Sequence, residues 1–185
     1  MNGENNKRRL MHGRWQYGVP AVLLHWILAL LVVVMAALGW TMLAFEDSPG
    51  SSWYFDLHKS LGMIVAGLVL LRWLWRIGHR PGPLPAQVPV LQARVAVLTH
   101  WLMYVCLFLM PISGLAGAAF SKSGLIFFGH SLTRLVAPDH AISERFFALH
   151  GIVIWVLTGL VVLHVLAALR HLLFHRDGVF QRMWF

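Results

Sequence analysis

The chain has 185 residues, of which 58% are hydrophobic and only 12% charged, with a net charge of +8. An ordinary soluble fold carries far more charge and far less apolar surface, so this composition excludes one and indicates an all-α integral membrane protein. The positive charge does not indicate a nucleic-acid partner, because the Lys and Arg stand in short blocks beside apolar runs, where they read as topology signals.

Residues 1–16 are polar and basic, with Lys7, Arg8, Arg9 and Arg14. They are expected to form a poorly ordered tail ahead of one transmembrane domain over 17–185. The apolar run that follows exceeds the roughly 7 to 15 residues of a signal-peptide core, so it predicts an uncleaved first span at 19–43. A short acidic loop with Glu46, Asp47 and the turn signal Pro49-Gly50 precedes a second span at 57–77, which ends among Arg72, Arg76 and Arg80. Pro81, Pro83, Pro85 and Pro89 cannot continue a helix and predict an extended connection. A third span at 95–120 contains Pro111, Gly114 and Gly117, which should bend it or allow close helix contact. After a longer loop with Gly124, Gly129 and Pro138, residues 146–169 are free of charge, against the roughly 20 apolar residues that a span needs.

Four spans leave both termini on one side. Eleven Lys and Arg fall on that side, and four (Lys59, Lys122, Arg134, Arg145) on the other, with five of the seven acids. The positive-inside rule then places both termini in the cytoplasm.

The fourth span carries His150 and His164, fourteen residues apart. At about 100° and 1.5 Å per residue, they return to within about 40° of one face and stand about 21 Å apart along the axis. Ionisable groups inside a span are costly and usually meet a partner in the bundle interior. His25 in span one lies at the depth of His164, and His58 in span two at the depth of His150. Two depth-matched pairs suit two six-coordinate haems stacked in a four-helix bundle, His25 with His164 and His58 with His150. A lone membrane histidine can equally be a helix-to-helix hydrogen bond or a proton site. Zinc would want four compact ligands at one place, and each depth offers two. No Cys-x-x-Cys-His is present, so any haem is held non-covalently, and Cys106 with the eight Met read as packing.

Of the other histidines, His12, His79, His130 and His140 fall in tail or loops, while His171 and His175 can snorkel to the interface. His100, near the same end of span three, could meet a propionate or quinone, or hold a plain interfacial place. Arg72 lies fourteen residues after His58, where a buried guanidinium needs an anion such as a haem propionate, or snorkels to lipid phosphate.

At these residues the sequence resembles the bacterial cytochrome b561 family of small di-haem membrane cytochromes. The matching pieces are Leu24-His25-Trp26, Leu57-His58-Lys59-Ser60-Leu61-Gly62, Thr99-His100-Trp101, Pro111-Ile112-Ser113-Gly114, Leu149-His150-Gly151, Leu163-His164-Val165 and Arg176-Asp177-Gly178 with Arg182-Met183. The resemblance implies a four-transmembrane-helix bundle enclosing two haem b in a bacterial inner membrane. It further implies that His25, His58, His150 and His164 are the axial ligands, and that electrons move between the periplasmic face and the quinone pool. Superoxide is the donor it favours, with ubiquinone as acceptor, and Lys59 and Arg145 beside the outer ligands are where electrons would enter, with Lys122 and Arg134 contributing. The competing view pairs Lys59 and Arg145 with Asp56 and Glu144, or has them hold a haem propionate. Two other functions compete: a quinol-oxidising cytochrome b subunit that reduces a periplasmic redox partner, and a haem-free transporter or structural protein whose histidines are proton sites.

Overall fold

A computed structural model describes residues 17–79, 82 and 88–184. The tail with Lys7, Arg8, Arg9, His12 and Arg14, and the stretch with Arg80, Pro81, Pro83 and Pro85, lie outside the described residues. Four helices are long and apolar enough to cross a bilayer: α1 (Val19–Ala44), α2 (Ser52–Gly78), α3 (Val90–Phe120) and α4 (His140–Arg170). The shortest, at 26 residues, is about 39 Å long and exceeds the roughly 30 Å hydrocarbon core. Their large apolar side chains, such as Leu30, Trp101 and Trp155, face outward as lipid-facing surface requires.

Three helices begin earlier than a search for uncharged windows predicts: α2 at 52 rather than 57, α3 at 90 rather than 95, α4 at 140 rather than 146. The cause is interfacial polarity within the first turns. Asp139 caps α4, its Oδ1 accepting the Ile142 N–H at 3.0 Å, so Glu144 and Arg145 ride on the helix instead of preceding it. Pro89 immediately precedes α3, where its missing N–H costs nothing. α3 continues unbroken through Pro111.

The Tyr17 N–H reaches the Arg182 carbonyl at 3.4 Å, so both ends of the described chain meet at one end of the bundle, the terminal end. At the opposite, hairpin end, the segment expected to be plain loop forms two short antiparallel strands, β1 (Ile126–Phe127) and β2 (His130–Ser131). Phe128 (φ 44°) and Gly129 (φ 82°) supply the two positive φ values that a tight two-residue hairpin turn demands. The Phe128 N–H donates to the fully buried Ser60 hydroxyl at 2.8 Å, mooring the hairpin on α2.

Past α4 the chain adds a π-helical turn (His171–His175), a left-handed Arg176 and a 3₁₀ turn (Phe180–Met183). His171 does not snorkel: its Nδ1 is 2.6 Å from Asp177 Oδ2. Burial alone would raise the Asp177 carboxyl, but the Val179 N–H and the His171 ring outweigh it and hold this group below the usual carboxylate range.

The apolar core is two clusters, Leu28, Val65 and Val69 on α1 and α2, and Cys106, Val153 and Leu157 on α3 and α4, both touching Leu107. In sequence these lie between the two histidine depths on α2 and α4. The layer therefore separates an upper from a lower site. The most extensive close helix pairing is α3 on α4, where small residues let the backbones approach. A Cβ on Gly117 would stand 2.7 Å from the Phe147 ring, and the buried Ser143 hydroxyl donates to the Gly117 carbonyl at 2.8 Å.

Candidate functional site

The four candidate ligands meet as two pairs. At the terminal end the His25 and His164 rings have centroids 6.3 Å apart with planes at 74°. At the hairpin end His58 and His150 stand 6.2 Å apart at 79°. Two metal–nitrogen bonds of about 2 Å each, with roughly 1 Å from nitrogen to ring centre on either side, put opposed ligating imidazoles about 6 Å apart. Both pairs match that spacing, and all four rings are half-buried.

The hairpin-end pair is built by local features of α3 and α1. His150 Nδ1 donates to the Met110 carbonyl at 2.9 Å, with the Ser113 hydroxyl 3.2 Å away, which fixes the tautomer and leaves Nε2 as the free nitrogen. Gly114 makes this possible, because a Cβ there would stand 3.0 Å from the ring. On the other side Gly39 receives His58, whose Cε1 would be 3.4 Å from an added Cβ. His58 Nδ1 is buried and has no hydrogen-bond partner among the described residues. An orphaned buried nitrogen is rare, and an iron held on Nε2 would leave this Nδ1 still in need of an acceptor.

At the terminal end Arg72 turns into the bundle, donating to the Ala21 carbonyl at 2.9 Å and lying 3.3 Å from His25 Nδ1. That second contact is long, and a ring that ligates through Nε2 must carry its proton on Nδ1, so the ligating tautomer turns this guanidinium elsewhere. No carboxylate stands against Arg72 among the described residues; its surroundings are a pocket with Tyr17, Arg76, His79 and Tyr104. Arg76 lies over the Tyr104 ring at 5.6 Å. Such a pocket suits an anion.

His100 stands nearer to the terminal pair than its sequence position reveals, 5.2 Å from the His164 centroid at 84°, its Nδ1 donating to the Ala96 carbonyl at 2.6 Å. That spacing is shorter than two opposed metal–nitrogen bonds allow, so His25 remains the better partner for His164. Among the described residues no group of three or more His, Cys, Asp or Glu forms a compact metal site. The donor set therefore fits haem, a flat group taking one imidazole on each face, better than zinc. α1 and α4, and likewise α2 and α4, make few close backbone contacts, a separation compatible with a flat group between them.

The hairpin-end bases are placed unevenly. Lys59 lies 3.8 Å from Asp56 and donates to Ser123 at 3.0 Å, while Arg134 donates to the Ser121 and Lys122 carbonyls at 3.0 and 2.8 Å. Lys59 on α2 is thus tied to the loop that carries Lys122 and Arg134. Arg145 is exposed and without a partner among the described residues, since Glu144 pairs with His140 at 3.6 Å.

Four features were not read from the sequence: Gly39 and Gly114 under the histidines, the Met110 carbonyl, the Ser60 anchor, and the contact of Trp26 with the far end of the chain. The Pro-Ile-Ser-Gly motif carried a signal for the first two only in Gly114, because a carbonyl leaves no mark in a sequence.

The sequence profile of prokaryotic cytochrome b561 matches residues 16–185. Cytochrome b561 homolog 2 of Escherichia coli K12 is 34% identical over 175 residues, covering 91% of this chain and 90% of the relative. Cytochrome b561 homolog 1 of the same organism is 27% identical, covering 91% and 96%. A probable superoxide oxidase, CybB of Yersinia pestis, is 23% identical over 171 residues, covering 91% and 95%. With four membrane-spanning helices and this match over nearly its whole length, the chain belongs to the prokaryotic cytochrome b561 family, membrane cytochromes b that bind haem and transfer electrons.

Proposed function

We propose that this protein carries electrons across the bacterial inner membrane on two b-type haems, oxidising superoxide at the hairpin end and reducing ubiquinone. The observation that carries the reading is the pair of histidine couples, each about 6 Å between ring centres and about 21 Å apart along α4. His25 and His164 would hold one haem and His58 and His150 the other, each supplying one-electron iron chemistry when bound. Arg72 would take a propionate, and His100 a propionate or the quinone. The reaction balances as two superoxide anions oxidised to two O₂, with the two electrons and two protons converting quinone to quinol. The excess of basic residues at the terminal end supports a cytoplasmic terminal end and a periplasmic hairpin end.

Superoxide is supported by the name of the Yersinia relative and by the chemistry of the hairpin end. Lys59 adjoins His58 on α2 and bonds Ser123 of the loop that also carries Lys122 and Arg134, so three positive charges gather at the hairpin end, with the exposed Arg145 on α4 a fourth. A cleft of one sign raises the encounter rate of a small anion. Asp56 beside Lys59 offsets part of that field.

The test uses the purified protein with an enzymatic superoxide source and a quinone acceptor. Haem reduction should slow as salt is added, slow further in Lys59→Gln with an intact spectrum, and stop with superoxide dismutase. If dismutase leaves the rate untouched, superoxide is not the donor. The flow would then run from quinol to a periplasmic redox protein.

A further inference from the structure

The terminal histidine pair is held by α1 and α4, which make few close backbone contacts and meet through side chains farther along, Trp40 6.1 Å from Trp155 and Val32 against the cluster of Val153 and Leu157. The close backbone pairings of the bundle are α3 with α4, α1 with α2 and α2 with α3. On α1 those side-chain contacts begin seven residues beyond His25, so a tie at the terminal end itself bears on the spacing of His25 from His164. The segment after α4 spans that gap. It leaves α4 seven residues beyond His164, where His171 and Asp177 meet at 2.6 Å, and Asp177 also accepts the Val179 N–H at 3.1 Å, which starts the 3₁₀ turn. On reaching α1, that turn accepts the Trp26 indole N–H on the Met183 carbonyl at 2.7 Å and the Tyr17 N–H on the Arg182 carbonyl. Trp184 stands edge-on to Trp26 at 5.6 Å, and Trp26 in turn stands edge-on to His25 at 5.4 Å. Arg182 is 5% exposed, donates to the Gly82 carbonyl at 2.6 Å and lies over the Tyr17 ring at 5.5 Å.

We infer that the C-terminal turn is a clamp that fixes the His25–His164 spacing, with Trp26 and Arg182 as positioning residues for the terminal-end haem. The inference rests on that pair being the ligands of a haem. Ordering this segment costs conformational entropy, which the Trp26 indole, the buried Arg182 and the Asp177 carboxylate together offset. Loosening it admits water to the terminal site and frees the His25 ring to tilt, and both act on the potential of the iron it ligates. The hairpin-end pair is positioned by Met110, Gly114 and Gly39, none of which the clamp touches.

The experiment is an optical redox titration, with EPR of the oxidised state, on the full-length protein and on Trp26→Phe and Arg182→Gln. Trp26→Phe keeps an aromatic ring but removes the N–H donor together with part of the indole's bulk; Arg182→Gln is the second, independent variant, and a retained two-haem spectrum shows that each has folded. The expected result is that one of the two midpoint potentials falls and its low-spin ferric resonance shifts, while the other stays at its wild-type value. The component that moves should be the one missing in His164→Ala. Two unmoved potentials in both variants overturn the clamp, as does an equal shift of both, which marks general loosening. A wild-type protein lacking two b-type components would sink the haem assignment itself, an outcome distinct from the failure of the clamp alone.

Discussion

Replacing Gly114 by Ala sets a methyl 3.0 Å from His150 Cε1 and 3.1 Å from its Nδ1, closer than van der Waals contact allows. α3 cannot easily retreat, because the Gly117 carbonyl is tied to Ser143 and Phe147 packs against the same turn. The ring must move instead, and its 2.9 Å bond to the Met110 carbonyl is the first casualty. In a helix interior Ala is favoured over Gly by up to about 1 kcal/mol, so the helix itself should not be weakened. A net hydrogen bond is worth about 1 kcal/mol, and loss of an orienting partner usually lowers metal affinity by about 10- to 100-fold, or about 1.4 to 2.7 kcal/mol. Gly114→Ala should therefore fold and keep the terminal-end haem while the hairpin-end haem titrates in with an affinity lower by that factor. Gly39→Ala, whose methyl would meet His58 at 3.4 Å, should cost much less. The assay is haem titration of the apoprotein followed by the b-type absorbance. Two haems bound to Gly114→Ala with wild-type affinity and potential would refute the reasoning.

Arg72→Leu removes a half-buried guanidinium that has no carboxylate partner, and should lower the occupancy or shift the potential of the terminal-end haem alone; an unchanged redox titration would mean the arginine serves lipid phosphate. Asp177 has a folded pKa below its ordinary value near 4, so its hold on the 3₁₀ turn is complete above that value and is lost as pH falls through the lower folded one. Hydrogen exchange of residues 178–184 should accelerate only below the ordinary carboxylate range, and Asp177→Asn should show the faster exchange already at neutral pH.

The membrane class, the four spans and the depth matching of the histidines were legible because each depends on long-range periodicity and charge, which survive in a bare sequence. His25, His58, His150 and His164 could be paired by counting residues along helices of known rise. Helix starts were less legible: Asp56, Arg94, Glu144 and Arg145 look like loop residues to a charge filter, yet at an interface a helix can carry them. The Asp139 cap was the signal for α4 and was available in the sequence. What could not be read was tertiary contact between distant segments. Nothing in Trp26 or Met183 announces a hydrogen bond across 157 positions, and nothing in His100 says that its ring stands beside His164. The hairpin at Phe128-Gly129 was hidden by its length, since two-residue strands leave no alternating pattern.

The most direct measurement is the haem content of the purified protein, read from dithionite-reduced minus oxidised spectra against protein concentration, in the wild type and in His164→Ala and His58→Ala. Two haem b per chain in the wild type and one in each variant, with the missing component different in the two, is the result expected from separate terminal-end and hairpin-end pairs. A single haem in the wild type, or loss of both from either substitution in a protein that still folds, would contradict it.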